Sequence, residues 1–140
     1  SSTNIRIKMR KSILIVIIAG ISTIYSCSNA QTLSYNPNLS PLEFSEKIKL
    51  LPDAPVIDVR TPGEFGEGHL FNALNCDWNG SSFDRQISGL DKSKPVLVYC
   101  RSGSRSAAAA SHMRDLGFKE VYEMDGGFVS WRKADLPETK

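Results

Sequence analysis

Cysteine and histidine are scarce in this 140-residue chain, which holds three of the first and two of the second. The histidines, His69 and His112, are far apart in sequence, and without a Cys/His cluster at ligand spacing no metal is expected. Three cysteines do not make a disulfide framework. Charge of one sign is not in excess either, with 17 basic against 15 acidic residues. Four of the basic residues, Arg6, Lys8, Arg10 and Lys11, fall within residues 1–26, which contain no acid. The remainder is therefore slightly acidic, and nucleic acid is not an expected partner. Internal repeats and low-complexity tracts are absent from the domain. A composition of 41% hydrophobic and 23% charged residues is that of a globular protein, and this length suits one domain.

One long apolar run exists, Ile13-Leu14-Ile15-Val16-Ile17-Ile18-Ala19-Gly20-Ile21, behind the basic pair Arg10-Lys11. It falls short of the ~20 apolar residues that span a bilayer comfortably, and it has the layout of a secretion signal. The expected organisation is signal peptide and upstream residues over 1–26, with Met9 as the natural start, a linker over 27–38 and the domain over 39–138. Three exits from the signal are open. Ile24-Tyr25-Ser26-Cys27 resembles a lipobox, which makes Cys27 a lipidation candidate and gives a lipid anchor. Ser28-Asn29-Ala30 resembles a signal-peptidase site and gives a soluble exported protein. An uncleaved anchor is the third. All three place the domain outside the cytoplasm, in a bacterial periplasm or cell envelope.

Within the domain, short strands alternate with helices. A first strand is expected near Thr32–Tyr35. Ser40-Pro41 with Glu43 reads as a capping box with proline at the first helical position, and Leu42, Ile48 and Leu51 give the helix an apolar face. Pro52-Asp53-Ala54-Pro55 stops it. Strands follow at Val56–Val59, Ala73–Cys76, Val96–Tyr99 and Glu120–Met124. Helical turns are expected over 62–67, over 83–90, from Ser104 or Ser106 to Leu116 with Gly117 beyond its end, and from Phe128. The alternation predicts an α/β fold, a mostly parallel sheet of about five strands with helices on both faces. Ligands in such sheets bind at the carboxyl ends of the strands.

Cys100 lies at such an end, after Val96-Leu97-Val98-Tyr99. It is followed by Arg101-Ser102-Gly103-Ser104-Arg105-Ser106 and the alanine run 107–110. Strand, tight loop and helix N-terminus together surround one thiol with backbone N–H groups and two guanidinium groups, which favours the thiolate. Gly103 lets the loop curl, and the alanines let the helix approach the sheet closely. A cysteine ending a strand is often mere core filling. Charged arginines seldom belong in a core, so this loop reads as a site for a small anion.

The domain resembles the single-domain rhodaneses, a sulfurtransferase family, from roughly Leu39 to Pro137. The landmarks occur in order: Val56-Ile57-Asp58-Val59-Arg60, Glu64-Phe65, Gly68-His69-Leu70, Ala73-Leu74-Asn75, the Tyr99–Ser106 loop, Leu116-Gly117-Phe118, and Asp125-Gly126-Gly127-Phe128 with Trp131. The resemblance implies a rhodanese-like three-layer sandwich. It implies a Cys100 nucleophile and substrate binding by Arg101, Ser102, Gly103, Ser104, Arg105 and Ser106. The reaction implied moves sulfane sulfur from thiosulfate or a related small anionic donor to a thiol or cyanide acceptor, with no cofactor and a monomer expected. Phe71-Asn72 depart from the Pro-Gly usual in the family, and Cys76 stands where an aliphatic residue is common. Four residues lie between Cys100 and Arg105, where the related phosphatases and arsenate reductases place five. Other readings are a persulfide carrier or redox partner and, less favoured, a non-catalytic rhodanese-like binding module or a phosphatase or arsenate reductase.

The supporting residues have two readings each. Asp58 either holds the loop or an arginine, or caps nearby backbone. Arg60 either adds positive potential at the mouth or, the favoured reading, pairs with a surface carboxylate. His69 reads as packing, since an ionised thiol needs no base, and His112 as surface. Trp131 reads as core, and Trp78 as packing near the pocket mouth. Cys76 is either a small buried hydrophobe or a resolving thiol for Cys100, and the second requires Cα atoms within ~7 Å.

Overall fold

The computed structural model describes residues 35–140. The signal, the lipidation candidate Cys27 and most of the expected first strand lie outside the described residues. In chain order the elements are β1 (Asn38–Leu39), α1 (Pro41–Leu50), β2 (Val56–Asp58), α2 (Pro62–Gly66), β3 (Leu74–Asn75), α3 (Phe83–Ile87), β4 (Val96–Tyr99), α4 (Ser104–Asp115), β5 (Val121–Met124) and α5 (Gly127–Lys133). The five strands form one sheet in the order β1-β5-β4-β2-β3, with every pairing parallel.

Because side chains alternate along a strand, the sheet buries two separate layers. On one face Ile57, Val59, Val96, Val98, Cys100 and Val121 pack against Phe83 and Ile87 of α3 and Ala109, Ala110 and Met113 of α4. On the other, Val56, Leu97, Tyr99, Tyr122 and Met124 pack against Phe44 of α1 and Phe128 and Trp131 of α5. This is the three-layer α/β sandwich expected from the alternation. The near-continuous apolar run of β4, buried at all four positions, reflects cover on both faces.

Several local expectations need correction. Among the described residues the first strand is Asn38–Leu39, and Tyr35, the one described residue of the expected Thr32–Tyr35 strand, is not in a strand. Tyr35 instead serves the sheet edge through its side chain: its hydroxyl donates to Val121 O at 2.9 Å and accepts from Val121 N at 3.0 Å. On α1 the inward stripe is the buried Phe44 and the half-buried Ile48, continued by Leu51 at the C-cap, while Leu42 points outward and is 63% exposed. The stripe runs at i, i+4, i+7 from Phe44, and Leu42 falls off it. The capping box at Ser40 is present, with Glu43 N donating to Ser40 Oγ and Ser40 N to the Glu43 carboxylate. Asn72 answers the Phe71-Asn72 departure, since it adopts φ 59°, a left-handed conformation that asparagine tolerates well.

The chain leaves β2 toward β3 on one side and leaves β4 toward β5 on the other. The carboxyl ends of β2 and β4 therefore flank a topological switch point, where α/β sheets bind ligands. Asp58 ends β2 and Cys100 comes directly after β4.

Candidate active site

The loop after β4 is built around the Cys100 sulfur. Gly103 adopts φ 105° and is the N-cap of α4, so the chain turns back over the thiol before the helix starts. Gly103 N donates to Sγ at 3.1 Å. Ser106 Oγ lies 3.4 Å from Sγ and 3.1 Å from Gly103 O, so its one proton is shared between sulfur and loop. Cys100 is 1% exposed. Burial pushes its pKa up, but the Ser106 hydroxyl and the amides of Ser106, Gly103 and Ser102 outweigh that and hold it below the ordinary thiol value. Arg105 has a smaller charge interaction with the same sulfur.

A second turn backs the loop. Gly127 has φ 59°, and a Cβ there would lie 2.5 Å from Cys100 O and 2.6 Å from the Arg101 carbonyl carbon. Only glycine allows this approach. Phe128 N then donates to Cys100 O at 2.8 Å and Val129 N to Arg101 O at 3.0 Å. The first amides of α5 thus hold the strand end that carries the thiol.

The arginines divide. Arg105 gives two bonds of 2.8 Å to the Glu64 carboxylate. Glu64 also accepts from Thr61 N and Thr61 Oγ1, so one carboxylate caps α2 and fastens the loop. Arg105 first, with Thr61 behind it, brings the Glu64 pKa down to about 2 against partial burial. Arg101 is exposed and has no ion-pair partner among the described residues. Ser102 and Ser104 are exposed on the crown of the loop.

Arg60 is buried, at 4% exposure, and pairs with the fully buried Asp58 at 2.6 Å, which corrects the surface pairing expected for it. Its Nε also bonds Asp58, its Nη2 donates to Gly68 O at 2.7 Å, and Arg60 N donates to Asp58 Oδ1 at 2.9 Å. Asp58 therefore takes the arginine-holding role. The guanidinium stacks on the Phe128 ring at 4.3 Å.

His69 is structural: Nδ1 lies 2.9 Å from Phe65 O, and the ring stacks on Phe65 at 3.7 Å. His112 is more than surface, since it contacts Trp78 and Phe83 and reaches Asp84 at 2.7 Å, tying α4 to α3. Cys76 sits beyond β3 as Cys100 sits beyond β4, and the ladder continues through Cys76 N to Asp58 O and Val59 N to Tyr99 O. The strand of Val59 runs between the two thiols, so they are two strand spacings, roughly 10 Å, apart at Cα. A disulfide needs about 7 Å or less, which ends the resolving-thiol reading for this backbone. Sequence reasoning passed over Glu64 and Phe128 as site residues. The Thr61–Glu64 capping box was a signal for the turn but not for the Arg105 pair.

Fold and site define a doubly wound α/β protein that holds a cysteine sulfur against a loop amide and a serine hydroxyl at its switch point. Residues 40–134 match the rhodanese-like domain family. The thiosulfate sulfurtransferase GlpE of Coxiella burnetii is 39% identical over 94 residues, covering 67% of this chain and 85% of that protein. Its counterpart from Pseudomonas putida is 37% identical over 99 residues, covering 71% and 88%. The crystal structure of a rhodanese-related protein from Thermoplasma volcanium superposes with a TM-score of 0.65 at 29% identity, covering 74% of this chain and 98% of that one. The chain belongs to the rhodanese-like domain family. Among the described residues no group of His, Cys, Asp or Glu is arranged to hold a metal.

Proposed function

We propose that this protein is a rhodanese-type sulfurtransferase that works through a persulfide on Cys100, with thiosulfate as a donor. One observation carries the reading. A sulfur atom that is almost fully buried accepts from Gly103 N at 3.1 Å and lies 3.4 Å from Ser106 Oγ, contacts that favour the thiolate. The thiolate attacks the outer sulfur of thiosulfate. The new bond is Sγ–S, the S–S bond of thiosulfate breaks, and its electron pair leaves with sulfite. The outer sulfur of the resulting Cys–S–S⁻ carries the negative charge, for which inward-facing amides are suited donors. An acceptor thiolate or cyanide then takes that sulfur and returns the Cys100 thiolate. Two alternating enzyme forms give ping-pong kinetics.

The relatives named as thiosulfate sulfurtransferases support this donor. Mass spectrometry after thiosulfate treatment tests it: one added sulfur atom on Cys100 is expected, and Cys100→Ser is expected to abolish thiocyanate formation. Retained activity in that variant, or turnover of p-nitrophenyl phosphate comparable to thiosulfate, would overturn the reading. We also place the domain outside the cytoplasm, anchored through Cys27, on the basic and apolar pattern of residues 10–27. Palmitate labelling of the full chain in a bacterial host, lost in Cys27→Ser, tests that placement.

A further inference from the structure

The buried stripe of α4 is Ser106, Ala109, Ala110 and Met113, and Ser106 is its one polar member. The i, i+3, i+4, i+7 spacing sets all four against the sheet. An alanine at 106 would complete the stripe, so a fully buried hydroxyl there must be held by partners. It has two partners and one proton. Cys100 Sγ lies 3.4 Å away and Gly103 O 3.1 Å away. Gly103 O also accepts from Ala107 N at 3.0 Å, so it is served without the serine. Rotation about Cβ–Oγ therefore turns the hydroxyl between a sulfur and a carbonyl, and the charge on the sulfur decides which it serves. A thiolate is the stronger acceptor, because a hydrogen bond to an ion exceeds a neutral one. A sulfur bonded to a second sulfur carries little charge and accepts weakly. The loop amides are placed differently. Gly103 N donates to Sγ at 3.1 Å from the loop itself, whose crown of Ser102 and Ser104 is exposed. Beneath, Cys100 belongs to a filled apolar layer. A donor thus reaches the thiol from the crown, and the transferred sulfur is added on the side of the amides, away from the α4 stripe. Ser106 is the donor that does not follow the charge outward.

Resting on the persulfide reading above, we propose that Ser106 is the catalytic residue that biases the enzyme toward giving its sulfur up, binding Cys100 Sγ in the thiolate form and turning to Gly103 O in the persulfide form. In the first half of the cycle the thiolate attacks the outer sulfur of thiosulfate. The Sγ–S bond forms, the S–S bond of thiosulfate breaks, and sulfite leaves with the bonding pair. The negative charge passes from Sγ to the outer sulfur, and the hydrogen bond from Ser106 to Sγ is given up. In the second half an acceptor anion, cyanide or a thiolate, attacks that outer sulfur. The Sγ–S bond breaks with its pair on Sγ, and the hydroxyl turns back to the leaving thiolate. Each half conserves charge and needs no oxidant. Ser106 therefore makes Cys100 a weaker nucleophile toward the donor and a better leaving group toward the acceptor. It speeds one half, slows the other, and sets the equilibrium between the two enzyme forms.

That equilibrium tests the proposal. The unaltered protein and Ser106→Ala are mixed with thiosulfate and sulfite at fixed ratios and no acceptor, on the alkaline plateau where Cys100 is ionised in both. The persulfide fraction is read by rapid alkylation and mass spectrometry of the intact chain. The constant for persulfide formation is expected to shift about tenfold toward the persulfide in Ser106→Ala, the order by which a hydrogen bond to an ion exceeds a neutral one. Sulfur exchange divides such a change almost evenly between nucleophile and leaving group, with a Brønsted coefficient of about 0.4–0.5. At the same pH, kcat/KM for thiosulfate is therefore expected to rise about threefold and kcat/KM for cyanide to fall about threefold. In a ping-pong cycle each of these constants reports its own half-reaction. Changes of opposite sign are a result that a loosened loop does not give, since it lowers both. An unchanged equilibrium constant, a shift toward the thiolate, or an equal fall in both kcat/KM values overturns the proposal and leaves Ser106 as a clip on Gly103 O. If no persulfide forms in either protein at any ratio, the persulfide reading falls and this role falls with it, whereas equal persulfide formation in both removes only the role of Ser106.

Discussion

Cys100 and Cys76 occupy equivalent places and have opposite chemistry. Each comes directly after a parallel strand that flanks β2, each belongs to the same buried layer, and their exposures are 1% and 6%. Burial pushes both thiols up. At Cys76 nothing opposes it, and the Asp58 charge pushes the same way. At Cys100 a hydroxyl and three amides reverse the sign. Position at a strand end and burial in a core therefore do not make a nucleophile. The difference lies in the chain beyond each strand. At Cys100 it turns through a left-handed glycine into a 12-residue helix, whereas at Cys76 it runs into Asp77 and an irregular loop.

The contrast is broken most completely at its reactive member. Cys100→Ser is expected to lower thiosulfate-dependent thiocyanate formation by at least about 10^3-fold while the fold stays intact, because a serine hydroxyl does not ionise in the same ring. Steady-state assay with circular dichroism separates lost chemistry from lost fold. Asp58 comes next, as it bears on both sites. Asp58→Asn leaves the Arg60 guanidinium buried without its counter-charge, and a loss of about 3–5 kcal/mol in denaturant unfolding is expected. In whatever fraction remains folded, Cys76 loses one of the two causes of its raised pKa, so thiol titration is expected to show Cys76 reacting at lower pH than in the unaltered protein.

The layers and the Cys100 loop were legible in the sequence because each has a local signal: apolar runs of four, a capping box at Ser40, and a cysteine with arginines, serines and alanines after it. The lining of the site was not, because it is assembled by contacts between residues distant in the chain. Arg105 looks like a substrate ligand beside Ser104 and Ser106. Only the packing of α2 against the loop puts Glu64, 41 positions away, on its guanidinium. Arg60 reads as surface because arginines usually are, and it is buried because Asp58, two residues earlier, is buried with it. The amide contribution to the thiol shift was legible in the strand, loop and helix pattern, whereas the leading share of the Ser106 hydroxyl was not.

Glu64 and Ser106 sharpen the contrast by smaller amounts. The folded pKa of Glu64 lies near 2, below its unfolded value, so its ion pair stabilises the fold above the unfolded value of about 4.3 and that contribution is lost as pH falls through 2. Glu64→Gln is expected to lower stability by about 2 kcal/mol at pH 7, with the difference from the unaltered protein shrinking below pH 4; urea unfolding across that range checks it. Ser106→Ala removes the largest of the contributions that lower the Cys100 pKa. The thiol is expected to titrate at higher pH, and kcat/KM for thiosulfate near pH 6 to fall severalfold and recover toward alkaline pH. A pH-independent loss would mean that Ser106 holds the loop through Gly103 O and does not act on the sulfur.

The smallest effect belongs to Cys76, and it decides whether the two thiols are coupled. With β2 between them, roughly 10 Å at Cα forbids a disulfide without moving a central strand of the sheet. Cys76→Ala removes one buried sulfur from a well-packed layer, and a cost of about 1 kcal/mol is expected from the small cavity left behind. Activity with thiosulfate is expected to stay within about twofold. A thiol-specific alkylating reagent near pH 7 is expected to modify Cys100 alone, since the Cys76 thiol is both buried and raised in pKa. If instead Cys76→Ala slows sulfur transfer or prolongs the life of the Cys100 persulfide, the strand between them must move during turnover. The burial of Val59, whose side chain is inaccessible between the two cysteines, argues that it does not.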